Sequence, residues 1–462
     1  MGSHIMEKTG KYVIIVAIIS SFIANILIHG VVLGVPSIGN SLGMNNVNQN
    51  WILTLYSLFS CIFTIPAGQI SSKYGCKKSL IIGLSLFIIG LIIPCFISSA
   101  ELFLVSRAIQ GMGIAFCNVS TIAMIILAIT KENRGQSFGI VVASPYLGAC
   151  VAPALCGYMI NNFGWISIFY LTIPFVALSL LLIILKIDKE WKTHENDELD
   201  KIGTILSMVG IFLFVYGFTN VLTLTGQISL AVGAIILIIF AVYEFRCKSP
   251  VFNVRLFKNK SFAAYCTSAF LCLFAIAVID TIFNYYFQYI RGLDSQTTGL
   301  ILMISPVVLL IVTPLAGKLS DKFHPQKIVT VGFVLILISF IILSFINVNT
   351  PVNLVIIAII IEALGFGLFT APNMNAISSA VADRYASYVS SIQITMRSIG
   401  QTMSMSLMTL LFSFFMGNLK LSTKYADIIA HTLGIICSIS VLLCIGAIII
   451  SVIGLRYDKA AS

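Results

Sequence analysis

Apolar runs recur along the whole chain, separated by short polar breaks. A bilayer core takes roughly 20 apolar residues of helix, and counting runs of about that length predicts fourteen spans. They lie near 11–36, 49–70, 78–98, 101–129, 135–160, 164–186, 201–223, 228–246, 261–290, 297–318, 327–347, 352–375, 386–416 and 428–455. Several exceed the minimum, which implies tilt or extension past the membrane. Two polar connections stand out by length, "KIDKEWKTHENDELDK" at 186–201 and "EFRCKSPVFNVRLFKNK" at 244–260. The pattern predicts an all-α polytopic membrane protein. The opening "MGSHI" reads as a cloning remnant, so residues 1–5 are set aside. The first apolar run is too long for a signal peptide and lacks a small-residue cleavage site, so it counts as the first span.

Composition agrees: 58% of residues are hydrophobic and 10% charged, against about 25% charged in soluble proteins. The net charge of +10 would suggest nucleic acid if the basic residues were clustered on a soluble face. With the N-terminus placed in the cytoplasm, 22 of the 27 Lys and Arg fall on the cytoplasmic side. Arg291, Lys420 and Lys424 fall outside, while Arg107 and Arg397 lie within spans. That bias is the positive-inside rule and predicts an inner-membrane protein with both termini cytoplasmic. No nucleic-acid partner is expected, membrane lipid is, and a monomer is the expected state. The eleven cysteines form no CxxC pair and read as small buried hydrophobes. Neither GxxxxGK[ST] nor HExxH occurs, so ATP-driven pumping, metal chemistry and enzyme activity have no motif behind them.

The loops "GQISSKYGCKKSLIIG" (68–83) and "GKLSDKFHPQKIVTVG" (317–332) resemble each other at an offset of 249 residues. The same offset carries the start of the first span onto that of the ninth. The repeat predicts an N-terminal six-helix bundle at 6–186, a linker with two inserted helices at 187–260, and a C-terminal six-helix bundle at 261–462. Repeated halves in a membrane protein point to alternating access around a midplane site.

These loops, with "RAIQGMG" at 107–113, "WILTLYSL" at 51–58 and "DKIG" at 200–203, resemble the fourteen-helix drug:proton antiporter branch of the major facilitator superfamily. The resemblance covers nearly the whole chain and implies the major facilitator fold, with protons as coupling ion and no cofactor. The family's loop pattern G-x-x-x-D-[RK]-x-G-[RK]-[RK] places gating roles on Gly68, Ser72, Lys73 and Gly75, and in the second copy on Gly317, Asp321 and Lys322. The loop aspartate of the family caps a helix in the other half. That implies the start of the thirteenth span near Arg384 as partner of Ser72, and the start of the fifth near Arg134 as partner of Asp321. Three positions depart from the family. Ser72 replaces the first loop aspartate, and Ala152 precedes Pro153 in the fifth-span motif "GACVAPALCG" (Gly148, Pro153, Gly157). Leu27 stands where such antiporters carry an acid.

Of seventeen Asp and Glu, only Asp280 in the ninth span and Glu362 in the twelfth lie deep in apolar runs. An ionised residue at a span centre costs about 2.5–3.5 kcal/mol and marks a bundle interior or wet cavity. Burial favours the neutral acid, which suits a group that binds and releases a proton. Both acids are therefore candidates for proton coupling, together with Arg107, to which the resemblance gives that role. The alternative is structural: hydrogen bonding, or ion pairing with Arg397 or Arg107. His29 is a further titratable charge partner. For the substrate cavity the sequence offers Phe283, Asn284, Tyr286 and Phe287 just beyond the acid, Phe366 and Phe369, Tyr56 and Tyr146, and Met396. Aromatic faces attract organic cations, and Met adapts its shape. The expectation is a proton-coupled exporter of lipophilic, cationic drugs. The rivals are a dedicated transporter of one metabolite (amino acid, peptide or siderophore) on the same fold, and a non-transporting membrane sensor.

Overall fold

The computed structural model describes all residues except 1, 45, 98, 194–198, 294, 417–422 and 462. Lys420 thus lies outside the described residues. The described chain contains fourteen helical stretches long and apolar enough to cross a membrane, and each overlaps one predicted from the apolar runs. The first eight are single helices: α1 Gly2–Ser41, α2 Asn46–Tyr74, α3 Cys76–Phe96, α4 Ala100–Ala128, α5 Lys131–Phe163, α6 Ser167–Lys186, α7 Lys201–Thr219 and α8 Leu224–Arg246. The ninth is broken into α9 Lys260–Ile276, α10 Ile279–Tyr285 and a π-turn at Tyr286–Ile290. The tenth is α11 Ser295–Leu302 with α12 Ile304–Lys322, and the rest are α13 Pro325–Ser344, α14 Val352–Ser379, α15 Ala386–Met416 and α16 Ala426–Ala461.

Polar residues set the helix starts where amide groups need acceptors. Asn259 Oδ1 accepts from the Ser261 and Phe262 amides at the start of α9 (3.0 and 3.2 Å), and Asp200 Oδ1 from Gly203 at the start of α7 (2.9 Å). Thr223 does the same for α8 through Gly226 (3.0 Å).

α4 is the central helix of the first half and packs on α2 and α3, while α1 packs on α5 and α6. The helix-4 motif is a packing device: a Cβ at Gly111 would meet the Tyr56 carbonyl of α2, and one at Gly113 would meet that of Gly83 in α3. The second half repeats the scheme with α13 on α14 and on α16. α5 and α12 form the largest contact between the halves, and α2 meets α15 on the other flank. The inserted α7 and α8 pack on each other, and α7 also lies along α2 and α15. Trp51 of α2 stacks on Tyr216 of α7 (6.4 Å), and Thr204 bonds Gln69 (3.4 Å) at the other end of that contact. Apolar side chains such as Ile238, Leu185, Leu224 and Phe414 stay exposed on the outer surface, as a lipid-facing belt requires.

Candidate transport site and latch

The two halves are tied at the face that carries the chain ends. Asp321, at the end of α12, accepts from the Gly135 and Gln136 amides at the start of α5 (2.6 and 2.7 Å). A carboxylate there accepts from two amides near the start of α5 and meets the positive end of the helix dipole. Glycines let the backbones close in, since a Cβ at Gly135 would meet the Gly317 carbonyl and Ser320. Beside it, buried Arg134 pairs with Asp383 (3.2 Å) and donates to the Ile126 carbonyl (2.6 Å). Arg134 and Asp383 are 249 residues apart, the repeat offset, so the pair lies across the pseudo-symmetry that relates the halves. The partner predicted for Asp321 is therefore the one observed. Lys322 is exposed.

The first copy differs from expectation. Ser72 does not cap α15: it is buried and shares a hydrogen bond with Thr193 Oγ1 (2.8 Å) from the linker. Residues 187–193 lie against the start of α3, where Glu190 accepts from the Lys77 and Lys78 amides (2.8 and 3.2 Å) and the Trp191 carbonyl from Cys76 (2.9 Å). Gly75 has φ +111°, and a side chain there would collide with the Glu190 carboxylate. Lys73 lies half-exposed near the Tyr74 ring (5.8 Å). The contact with α15 is made by small groups instead. Gly68 packs on Ser391, and Cys76 Sγ lies 3.8 Å from Ser387 Oγ.

Between the halves, above these ties, lies a cavity of about 670 Å³. Its walls come from α1, α2, α4, α5, α14 and α15, and Val215 of α7 fills the gap between α2 and α15. It runs from Asn118 and Phe138 to Met405 and Thr409, towards the face opposite the chain ends. Tyr56 and Tyr146 line it, as predicted; Phe366, Phe369 and Met396 line a side pocket that shares Met374, Gln393 and Arg397 with it. Phe283, Tyr286 and Phe287 do not: they are 1%, 0% and 0% exposed, and the Tyr286 hydroxyl donates to the Thr350 carbonyl (2.6 Å). Half-buried Asn284 is also absent from the walls. The break at 277–278 and the π-turn rotate these side chains into packing, so this part of the expected aromatic cage is corrected.

Asp280 stands in the first turn of α10, directly after that break, and is exposed, whereas Glu362 is 2% exposed. The two feel each other's charge, and Tyr146 lies within electrostatic reach of Arg397, Glu362 and Asp280. Among the described residues neither acid forms an ion pair with Arg397 or Arg107, and Glu362 Oε2 is buried without a donor. Arg107 is instead a fixed tie. It donates to the Ile52 carbonyl (3.0 Å) and to Gln110 Oε1, Gln110 donates to the Gly90 carbonyl (2.7 Å), and its guanidinium lies over the Tyr56 ring (4.6 Å). His29 is half-buried and does not line the cavity. Of the fifth-span motif, Gly148 packs against the Phe22 carbonyl of α1, Ala152 is buried, and Pro153 is exposed. Nothing lies near enough to Gly157 to meet a Cβ.

The wall also holds residues that sequence reasoning passed over: Asn25, Asn118, Gln393 and Gln401, with Ser57, Ser60 and Thr121. The signal for them was there, since amides within apolar spans are uncommon. A search confined to charged residues does not register it.

Residues 13–405 match the family model described as Major Facilitator Superfamily. The chain belongs to that superfamily. Among its relatives, the riboflavin transporter RibZ of Clostridioides difficile is 25% identical over 394 residues, which is 84% of this chain and 85% of that protein. The multidrug resistance protein Stp of Mycobacterium tuberculosis is 25% identical over 382 residues, 81% of this chain and 70% of that one. Among solved structures, the human organic anion transporter MFSD10 superposes with a TM-score of 0.65 at 13% identity, covering 95% of this chain and 99% of that one. The fold, the membrane location and the role as a small-molecule transporter of this superfamily follow.

Proposed function

We propose that the protein is a proton-coupled secondary transporter that exports a small organic solute by alternating access, with Asp280 and Glu362 as its protonation sites. The observation that carries the reading is the unpaired, buried carboxyl of Glu362 in α14, a helix that also walls the cavity between two latched halves. A structural carboxylate in this position would have an arginine or several donors; a proton carrier needs its oxygens free. The cavity's size is in the range of sites for drug-sized ligands. Applied to this chain, the positive-inside rule makes the latched face cytoplasmic and the cavity outward-facing, with both termini inside. In that state protons enter from outside; the latch then opens and solute replaces them from the cytoplasm. No cofactor takes part.

The relationship to a multidrug resistance protein supports export as the direction. The walls, rich in hydroxyls and amides and without an acid, favour the second reading from the sequence, a dedicated carrier of one metabolite. The relationship to a riboflavin transporter points the same way. The test is a proteoliposome assay with an imposed pH gradient and a panel running from ethidium to riboflavin. Gradient-driven movement of at least one solute, abolished by nigericin, is expected. Movement of every transported solute unaffected by the gradient would contradict proton coupling.

A further inference from the structure

The cavity walls carry an electrostatic and hydrogen-bonding pattern that specifies a chemical class. Arg397 of α15 is the one charged side chain lining the main cavity, and it also lines the side pocket. Among the described residues it makes no ion pair, and neither Asp280 nor Glu362 lines either space. A half-buried guanidinium offers five donors in a rigid fork, suited to a carboxylate or phosphate. The same charge repels a cation in the cavity.

A second, independent observation comes from orphaned polar atoms. Gln393 is 9% exposed; its amide nitrogen donates to the Met374 carbonyl (3.3 Å), which fixes the flip and leaves Oε1 without a donor. Asn373 Oδ1, in the side pocket, is likewise buried and unpartnered, and so is the Tyr56 hydroxyl on the main wall. Buried polar groups in native proteins are satisfied, so an orphaned group at a cavity calls for a partner from outside the chain. Two free amide oxygens want O–H or N–H donors. Next to them Phe366 and Phe369 stack at 5.8 Å and wall the side pocket with a planar apolar surface.

We infer that the solute is a hydroxylated organic anion with a planar apolar portion: its acid group meets Arg397, its hydroxyls meet Gln393 and Asn373, and its ring lies in the main cavity at the mouth of the small side pocket walled by Phe366 and Phe369. This rests on the transport reading for its consequence, but not for its test. A lipophilic cation, the solute class expected from the family resemblance, finds a positive charge and idle acceptors here.

The experiment is equilibrium dialysis of the full chain in detergent against three probes: 4-methylumbelliferyl glucuronide, its uncharged glucoside, and ethidium. The glucuronide is expected to bind about tenfold or more tighter than the glucoside, the scale of one charge-assisted contact. Arg397→Gln should erase that preference, and Arg397→Lys, which keeps the charge but loses the fork, should keep part of it, which separates charge from misfolding. Gln393→Leu should weaken both sugars alike. Ethidium binding in preference to the glucuronide, no binding of the glucuronide, or a preference unchanged in Arg397→Gln would each overturn the inference. Charge-dependent binding of the glucuronide with no gradient-driven movement would instead sink the transport reading and leave this one standing. Gradient-driven ethidium with no anion binding would do the reverse.

Discussion

Glu362 keeps a carboxylate oxygen inside protein with no donor, while Arg107, one of its two candidate ion-pair partners in the sequence, spends its donors on Ile52 and Gln110. The contrast separates two intramembrane charges that look alike in the sequence. Arg107 satisfies carbonyls that would otherwise be stranded, so Arg107→Gln should destabilise the protein by about 1–3 kcal/mol for the acceptors left bare. A lower melting temperature in detergent, with solute affinity little changed in whatever remains folded, is the expected result. Glu362→Gln removes a titrating group but keeps the shape, so it should leave melting nearly unchanged and abolish coupling. The sequence made both residues visible, because charge within a span is rare. It could not tell which was tied and which was free, since that depends on carbonyls of α2 and α3, distant in the chain. The amides Gln393 and Asn373 were less visible still, being neutral.

At the scale of elements, the two loop copies have diverged into different devices. Asp321 clamps α5 of the opposite half, whereas Ser72 is held by the linker and the start of α3 takes its negative cap from Glu190. Asp321→Asn keeps one acceptor and loses the charge, worth about 1 kcal/mol at a helix start and roughly fivefold in the ratio of two access states. Cysteine labelling at the ends of α5 and α12 on the latched face should rise accordingly. Glu190→Ala should lower stability by about 0.5–2 kcal/mol, as lost caps do, with little effect on that labelling, because Glu190 binds within its own half. The span pattern made α5 and α12 legible beforehand, and their contact was implied by the resemblance to the family, whose loop aspartate caps a helix of the other half. The linker contact was not legible, because nothing local in "KIDKEWKT" says which helix start it covers. The ninth helix failed for another reason: apolar periodicity runs straight through 277–278, where the chain breaks, so faces assigned beyond the break came out wrong.

At the scale of the whole molecule, closure on one face and a cavity towards the other are what the proposed alternating access requires of one end of its cycle. Cys76 and Ser387 sit on opposite halves at that closed face, 3.8 Å apart between sulfur and hydroxyl oxygen. Ser387→Cys should therefore form a disulfide under oxidation, given the usual spacing of bridged cysteines. The bridge should hold the latched state, stop transport, and release both on reduction. Labelling of Thr409→Cys from the opposite side should persist throughout, since that end of the cavity stays open in the latched state.

The central claim is that solute movement is coupled to protons held by Asp280 and Glu362. It is tested most directly by recording proton flux into proteoliposomes on adding a solute that binds, for wild type, Asp280→Asn and Glu362→Gln. Solute-driven flux in wild type, lost in both variants while solute binding survives, is the predicted result. Flux that persists in both variants, or solute transport by wild type with no proton movement, would contradict the account.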